Sequence, residues 1–212
     1  MKTAPAFWDK AATNYAKSSI SDPAAYEYTL GRSESYISKS DRVLELGCGT
    51  GMTALRLAPA AHSVLATDVS AGMLEHCQQR AAEASVDNIT FKQADFMDPS
   101  LQTGEFDVVM AHSLLHLLPD LPAALAAVRA MLKPNGTFIS KTVCLGEPGS
   151  FKLAVIRKII PAMQLVGKAP YVNSISVTEL EAAMAQAGFK IVESGNFPNK
   201  MPPARYLVAR KA

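Results

Sequence analysis

Cysteine is scarce in this chain. Three occur among 212 residues, Cys48, Cys77 and Cys144, far apart and with no C-x-x-C pair. An odd, dispersed set excludes a disulfide framework and a cysteine zinc site, and a reducing, cytoplasmic setting is the expectation. Surplus charge is equally absent: 21 Lys and Arg against 19 Asp and Glu leave a formal +2. A nucleic-acid footprint needs basic side chains gathered on one face; here they are scattered, so no nucleic-acid partner is expected. No apolar run approaches the roughly 18 residues of a membrane span. The N-terminal stretch has no long apolar core of the kind a secretory signal carries. His112 and His116 lie four apart but bring no third His or Cys with them, so no metal is expected.

What remains, 49% hydrophobic and 19% charged, suits one globular domain with a well-filled core and room for a small appended cap. Glycine is modest at 12 residues, yet three stand at alternate positions in Val43-Leu-Glu-Leu-Gly47-Cys-Gly49-Thr-Gly51. A buried-strand run leads into these glycines and a helical pattern follows at once. They let the backbone turn sharply and leave no Cβ between main chain and ligand. Beyond the carboxyl end of a parallel strand, that is a place for an adenosine-type cofactor. The spacing is G-x-G-x-G rather than the G-x-G-x-x-G of a dinucleotide site, because Met52 takes the sixth position. No Gly-Lys-Ser/Thr follows to make a triphosphate loop. Glu45 sets a carboxylate where a dinucleotide's phosphates would approach, which suits an ammonium or sulfonium group instead. Asp68 ends the next strand-like run, about 20 residues on, where an acid can accept two ribose hydroxyls. An NAD-dependent oxidoreductase is therefore disfavoured.

From residue 42 onward strand and helix signals alternate, which predicts a parallel sheet with helices on both faces. Strands are expected at 42–46, 63–67, 89–93, 106–111 and 136–143, and helices at 51–59, 70–85 and 120–132. Asp120 can cap the last helix, Pro122 sits in its first turn, and Lys133-Pro134-Asn135-Gly136 stops it. Thr178-x-x-Glu181 reads as a capping box opening a helix with Leu180, Ala183, Met184 and Ala187 on one face, ended by Gly188. Two strands, 189–194 and 204–210, follow around a turn through Pro198, Pro202 and Pro203. Two segments fall outside the alternation. Residues 1–38 hold four of the six tyrosines and the single tryptophan, and residues 146–175 hold the aliphatic run 151–160.

Glu45-x-Gly47-x-Gly49-x-Gly51, followed by Thr67-Asp68-Val69-Ser70-Ala71-Gly72-Met73-Leu74, resembles the class I S-adenosylmethionine-dependent methyltransferases. The likeness continues through Asp95-Phe96, Phe106-Asp107-Val108-Val109, Leu115-His116 and Leu132-Lys133-Pro134-Asn135-Gly136, and so spans residues 40–143. Phe7-Trp8-Asp9-Lys10-Ala11-Ala12, with Tyr15, is similar to the N-terminal helix of small-molecule members, in the ubiquinone- and menaquinone-methyltransferase-like branch. The resemblance implies an α/β fold, a Rossmann-like three-layer αβα sandwich. Its seven-stranded sheet would be mostly parallel, with an antiparallel C-terminal hairpin strand, N-terminal helices and a small helical cap. Residues 1–212 would form one domain: an N-terminal helical lid (1–38), a cofactor-binding core (39–145), a cap or substrate insertion (146–175) and a C-terminal helix with strand hairpin (176–212). Lid and cap would wall the substrate pocket.

The cofactor so implied is S-adenosyl-L-methionine, with S-adenosyl-L-homocysteine as product. Its implied contacts are Tyr15, Glu45, Gly47, Cys48, Gly49, Gly51, Asp68, Val69, Met73, Asp95, Phe96 and His112. Gly47 and Gly49 would approach the methionine part, Glu45 its ammonium and Asp68 the ribose. Asp95 would accept the adenine amino group, with a backbone donor from Phe96 beside it. Met73 would lay its thioether on the adenine ring, or else simply pack helix against sheet. Cys48 reads as a small residue tolerated in a tight turn, not as a nucleophile. Methyl transfer from a sulfonium asks chiefly for in-line placement and exclusion of water, and for a general base where the acceptor must lose a proton. The candidates are His112 at the end of the fourth strand, His116 on what reads as one helical face with it, Lys141 at the end of the fifth strand, and Tyr15. The Asn/Asp-Pro-Pro-Tyr motif of family members that methylate exocyclic amines of nucleobases or glutamine is missing, its place reading Ala111-His-Ser-Leu-Leu-His116. The expected partner is thus a small, partly apolar methyl acceptor, and the chain is read as a monomer or homodimer. A packed lid, rather than membrane contact, is expected of the cap. The alternative function is a non-catalytic sensor or scaffold that binds S-adenosylmethionine or S-adenosylhomocysteine.

Overall fold

The computed structural model describes residues 4–149 and 151–212, so the first three residues of the expected lid and Ser150 of the expected cap lie outside the described residues. Two helices lead, α1 (Ala4–Lys17) and α2 (Pro23–Glu34). The alternating core follows: β1 (Arg42–Leu46), α3 (Met52–Leu57), β2 (Ser63–Asp68), α4 (Ala71–Ala84), β3 (Ile89–Gln93), β4 (Phe106–His112), α5 (Leu121–Met131) and β5 (Leu132–Val143). The chain ends with α6 (Phe151–Leu165), α7 (Val177–Gln186), β6 (Phe189–Asn196) and β7 (Ala204–Lys211). The seven strands lie in the order β3-β2-β1-β4-β5-β7-β6. β7 runs antiparallel between β5 and β6, and the other pairings are parallel. This is the Rossmann-like three-layer sandwich with its C-terminal hairpin.

The strands read as near-continuous apolar runs because helices cover both faces, and alternate side chains serve opposite layers. Leu44, Leu46, Val109, Phe138 and Leu207 pack with Leu125 and Val128 of α5 and with Leu180 and Met184 of α7. Their neighbours Val43, Val108, Ile139 and Val208 pack on the other side with Ala54 and Leu57 of α3 and Leu74 and Cys77 of α4. Each such side chain contributes about 1.5–3 kcal/mol, so a one-residue slip of register would exchange both layers at prohibitive cost. The order of connection reverses between β1 and β4, and ligands of open α/β sheets bind at that reversal, beyond the strands' carboxyl ends.

Three expected boundaries are corrected. β5 begins at Leu132, not at 136: Phe106 pairs with Leu132 but Val108 with Thr137, so 133–136 loop out as a bulge, with Asn135 at φ 61°. The capping box is formed by Ser176 and Glu179, not by Thr178 and Glu181. Ser176 Oγ accepts from Glu179 N at 3.2 Å, and Glu179 Oε2 accepts from Ser176 N at 2.8 Å. Starting there lets Val177 pack on the core and leaves Glu181 to accept from Arg205 Nε of β7 at 2.9 Å. α3 ends at Leu57, because Pro59 opens a short 3-10 turn, Ala58–Ala60.

The leading helices are fastened by side chains. Asp9 Oδ1 on α1 accepts from Ser70 Oγ at 2.6 Å and Gly72 N at 3.2 Å, at the N-terminus of α4. Ala12 lies buried over Gly72, where an added Cβ would come within 3.3 Å. On α2, Arg32 forms a two-pronged pair with Glu193 of β6, Nε to Oε1 being 2.8 Å, and Tyr36 Oη donates to the same carboxylate at 2.8 Å. α6 departs from the expected packed lid. Leu153 is its one buried residue, and polar ties hold it: Arg157 Nη1 donates to Leu145 O at 3.0 Å and Glu147 O at 3.3 Å.

Candidate active site

The glycine run leaves the end of β1 with Gly47, Gly49 and Gly51 all in left-handed conformations, φ 64°, 55° and 78°. At Gly47 an added Cβ would stand 2.9 Å from Leu114 Cδ1, so the loop lies directly against the turn that follows β4. Gly49 N donates to Asp68 Oδ2 and Ser70 N to Asp68 Oδ1, both at 2.9 Å, so one carboxylate locks the loops after β1 and β2 together. Gly51 differs. Its missing Cβ would meet Cys77 Sγ at 2.9 Å, and it lines no cavity of the site.

Two cavities meet above these loops. The larger, about 530 Å³, is lined by Gly47, Gly49, Asp68, Val69, Met73, Asp95, Phe96 and His112, and roofed by Trp8 and Tyr15 of α1. The smaller, about 470 Å³, is lined by Glu45, Cys48, Lys141 and Val143, by Tyr26, Thr29 and Leu30 of α2, and by Pro198, Lys200 and Pro202 of the β6–β7 turn. Tyr15, Gly47, Gly49, His112 and Ser113 belong to both and form the seam between them.

Negative charge gathers at the seam. Glu45 is 2% exposed, its Oε1 stands 3.7 Å from His112 Nδ1, and its Oε2 has no partner. His112 Nδ1 is likewise buried without a hydrogen bond. Burial first, and the Glu45 charge with it, raises the Tyr15 and Tyr26 phenols and the Asp68 carboxyl above their ordinary values. Lys141 donates to Thr29 Oγ1 at 3.2 Å, and burial lowers its pKa against the opposing pull of Asp22. Cys48 lines the smaller cavity, with Sγ 4.0 Å from Cys77 Sγ. The Cys77 contact and burial push its thiol far above the ordinary range, so it is protonated and no nucleophile.

Residues 43–136 match the family described as "Methyltransferase domain". The 27-O-demethylrifamycin SV methyltransferase of Amycolatopsis mediterranei is 30% identical over 154 residues, 71% of this chain and 54% of the relative. The ubiquinone biosynthesis O-methyltransferase of Xanthomonas axonopodis pv. citri is 28% identical over 172 residues, 80% of this chain and 70% of the relative. Residues 43–136 are thus a methyltransferase domain, and these likenesses support a class I S-adenosylmethionine-dependent methyltransferase. Among solved structures, geranyl diphosphate C-methyltransferase from Streptomyces coelicolor A3(2) shares the methyltransferase fold at a TM-score of 0.73 and 16% identity, over 90% of this chain and 79% of that one. The chain spans about half the length of the relatives it matches, 54% and 47% in two cases and 37% in another.

Among the site residues expected for a methyltransferase, the structure brings together Tyr15, Glu45, Gly47, Cys48, Gly49, Asp68, Val69, Met73, Asp95, Phe96, His112 and Lys141 around the two cavities. Gly51 and His116 stand outside. Ser113, at φ 56°, turns the chain as soon as β4 ends, so the two histidines share no helical face. His116 sits in the 3-10 turn Leu115–Leu117, where its carbonyl accepts from Asn173 N at 2.7 Å, and burial lowers its pKa to about 4. No described residue of 146–175 lines either large cavity; their outer walls are α1, α2 and the β6–β7 turn. Four contributors were not anticipated by role. Asp9 stood within a recognised stretch, but nothing in its spacing pointed to Ser70. Leu114 and Leu117 line the larger cavity and Lys200 the smaller, and no motif singled them out.

Proposed function

We propose that the chain binds S-adenosyl-L-methionine in the larger cavity and catalyses methyl transfer to a small, partly apolar acceptor in the smaller one. Glu45 carries this conclusion. Its nearly buried carboxylate lies on the smaller cavity's side of the seam, with one oxygen near His112 and the other unpaired, and so suits the positively charged end of a cofactor that reaches the seam from the larger cavity. The residues present suit the cofactor elsewhere too. Asp68 keeps lone pairs for ribose hydroxyls beyond the two it gives to backbone N–H groups. Asp95 and Phe96 would hold the adenine edge, with Met73 against its face. When bound, S-adenosylmethionine supplies a methyl group on a sulfonium leaving group.

The chain's own residues would then place the acceptor and keep water out. His112 faces both cavities and is the group best placed to take a proton from an acceptor at the seam. Tyr15 and Trp8 close the larger cavity, which excludes solvent from the site of transfer. Ile20, Leu30, Val143, Pro198 and Pro202 give the smaller cavity an apolar side, and Lys141 a cation that could hold an acidic acceptor group. The relatives named above act on a rifamycin, in ubiquinone biosynthesis and on geranyl diphosphate, which supports a small-molecule acceptor.

Calorimetric titration with S-adenosylmethionine and S-adenosylhomocysteine tests the first half. Wild type should bind both, and Asp68→Ala should bind on the order of 100-fold more weakly, having lost two hydrogen bonds to a charged acceptor. Incubation with methyl-labelled cofactor and a metabolite extract tests the second. Label in a small molecule supports transfer, binding without any transfer favours the sensor, and a response to NAD alone would overturn both.

A further inference from the structure

α6 turns apolar residues toward solvent. Phe151, Val155, Ile159 and Ala162 recur at i, i+4, i+8 and i+11, one face of a helix, and all are exposed, Phe151 to 85%. Met163, Leu165 and Val166 extend the surface. Of 13 large hydrophobic residues exposed among the described ones, six lie between 151 and 166, so this is a patch rather than ordinary scatter. The opposite face is engaged, through buried Leu153 and through Arg157 on the carbonyls of Leu145 and Glu147, which sets the helix's rotation. Exposed Lys152 and Lys158 flank the stripe, and Lys168 follows it. Residues 151–168 contain four basic side chains and no acidic one.

We propose that α6 is a membrane-surface helix that lies in the plane of an anionic lipid leaflet. An apolar stripe bordered by lysines is the form such helices take: the stripe enters the acyl boundary while the lysine stems reach up to headgroup charges. At 15 residues α6 is short of the roughly 20 that span a bilayer. No helix among the described residues is long and apolar enough to cross one. A second copy is a poorer occupant, because a two-fold contact through this face would oppose like lysines with no acid between them. The stripe is not a wall of the acceptor site, since α6 lines neither large cavity. At its C-terminal end, Gln164 and the following Gly167 meet Phe7, Trp8 and Leu117 in a small crevice, and Trp8 and Leu117 also line the larger cavity. The lipid contact thus adjoins one roof of the site.

Sedimentation of the full chain with vesicles decides the matter. It should pellet with vesicles of phosphatidylglycerol and phosphatidylcholine and stay in solution with phosphatidylcholine alone. Lys152→Ala with Lys158→Ala should weaken binding about 30-fold, at about 1 kcal/mol for each charge near the surface. Phe151→Ser with Ile159→Ser should abolish it. All four side chains are exposed, so urea unfolding midpoints and S-adenosylmethionine titration should match wild type, which separates this proposal from that of cofactor binding. Failure of wild type to pellet with anionic vesicles would overturn the proposal, as would undiminished binding by either variant. Self-association that Phe151→Ser with Ile159→Ser removes, without vesicle binding, would assign the face to a second copy.

Discussion

Gly51 shows how a motif position can be conformationally required and yet face away from both cavities. It shares left-handed backbone with Gly47 and Gly49, but its open side faces Cys77 on α4. Spacing alone makes the three equivalent; only packing tells the backbone that borders a cavity from the backbone that borders a helix. Gly51→Ala should therefore lower stability by about 2 kcal/mol, combining left-handed strain with a clash, as read from urea unfolding. A loss within experimental error would mean that Cys77 moves aside freely. Asp68 was legible for the opposite reason: an acid at the end of β2 has few structural roles, and it ends up bridging two loops. The histidines misled because four-residue spacing implies a helical face only where the backbone is helical, and Ser113 breaks it.

Element by element, the alternating core was readable because each strand and helix declares its own period. The leading helices were not, since what orients them is long-range and polar: Asp9 on Ser70 and Gly72, and Arg32 on Glu193, 161 residues away. α6 was misjudged because an aliphatic run has the same composition whether its stripe faces a core or the outside. The α1 tie has a measurable counterpart. Asp9→Ala should leave α1 undocked from α4, with the global unfolding midpoint little changed. Hydrogen exchange should then quicken in 4–17 while α4 stays protected. Unchanged exchange in α1 would show that Ala12 and Trp8 hold it unaided.

For the molecule as a whole, hydrophobic alternation called for a sheet covered on both faces, but strand order came only with the family likeness, because periodicity carries no topology. Acid stability is a property at this scale. Burial lowers His116 from the ordinary 6.5 to about 4, so folding favours the neutral imidazole. Its contribution is complete above pH 6.5 and disappears as pH falls toward 4, a loss of about 3 kcal/mol. His116→Leu should accordingly lose about that much less unfolding free energy between pH 7 and pH 4; equal losses in both proteins would refute the assignment. One last consequence comes from the separate roofs. The larger cavity is covered by α1, held at α4, and the smaller by α2 and the β6–β7 turn, held at Glu193. Tyr15 of α1 borders both at the seam, but the rest of each cover could lift without the other. If each cavity holds one ligand, as proposed, the steady-state kinetics should show random rather than compulsory order of product departure.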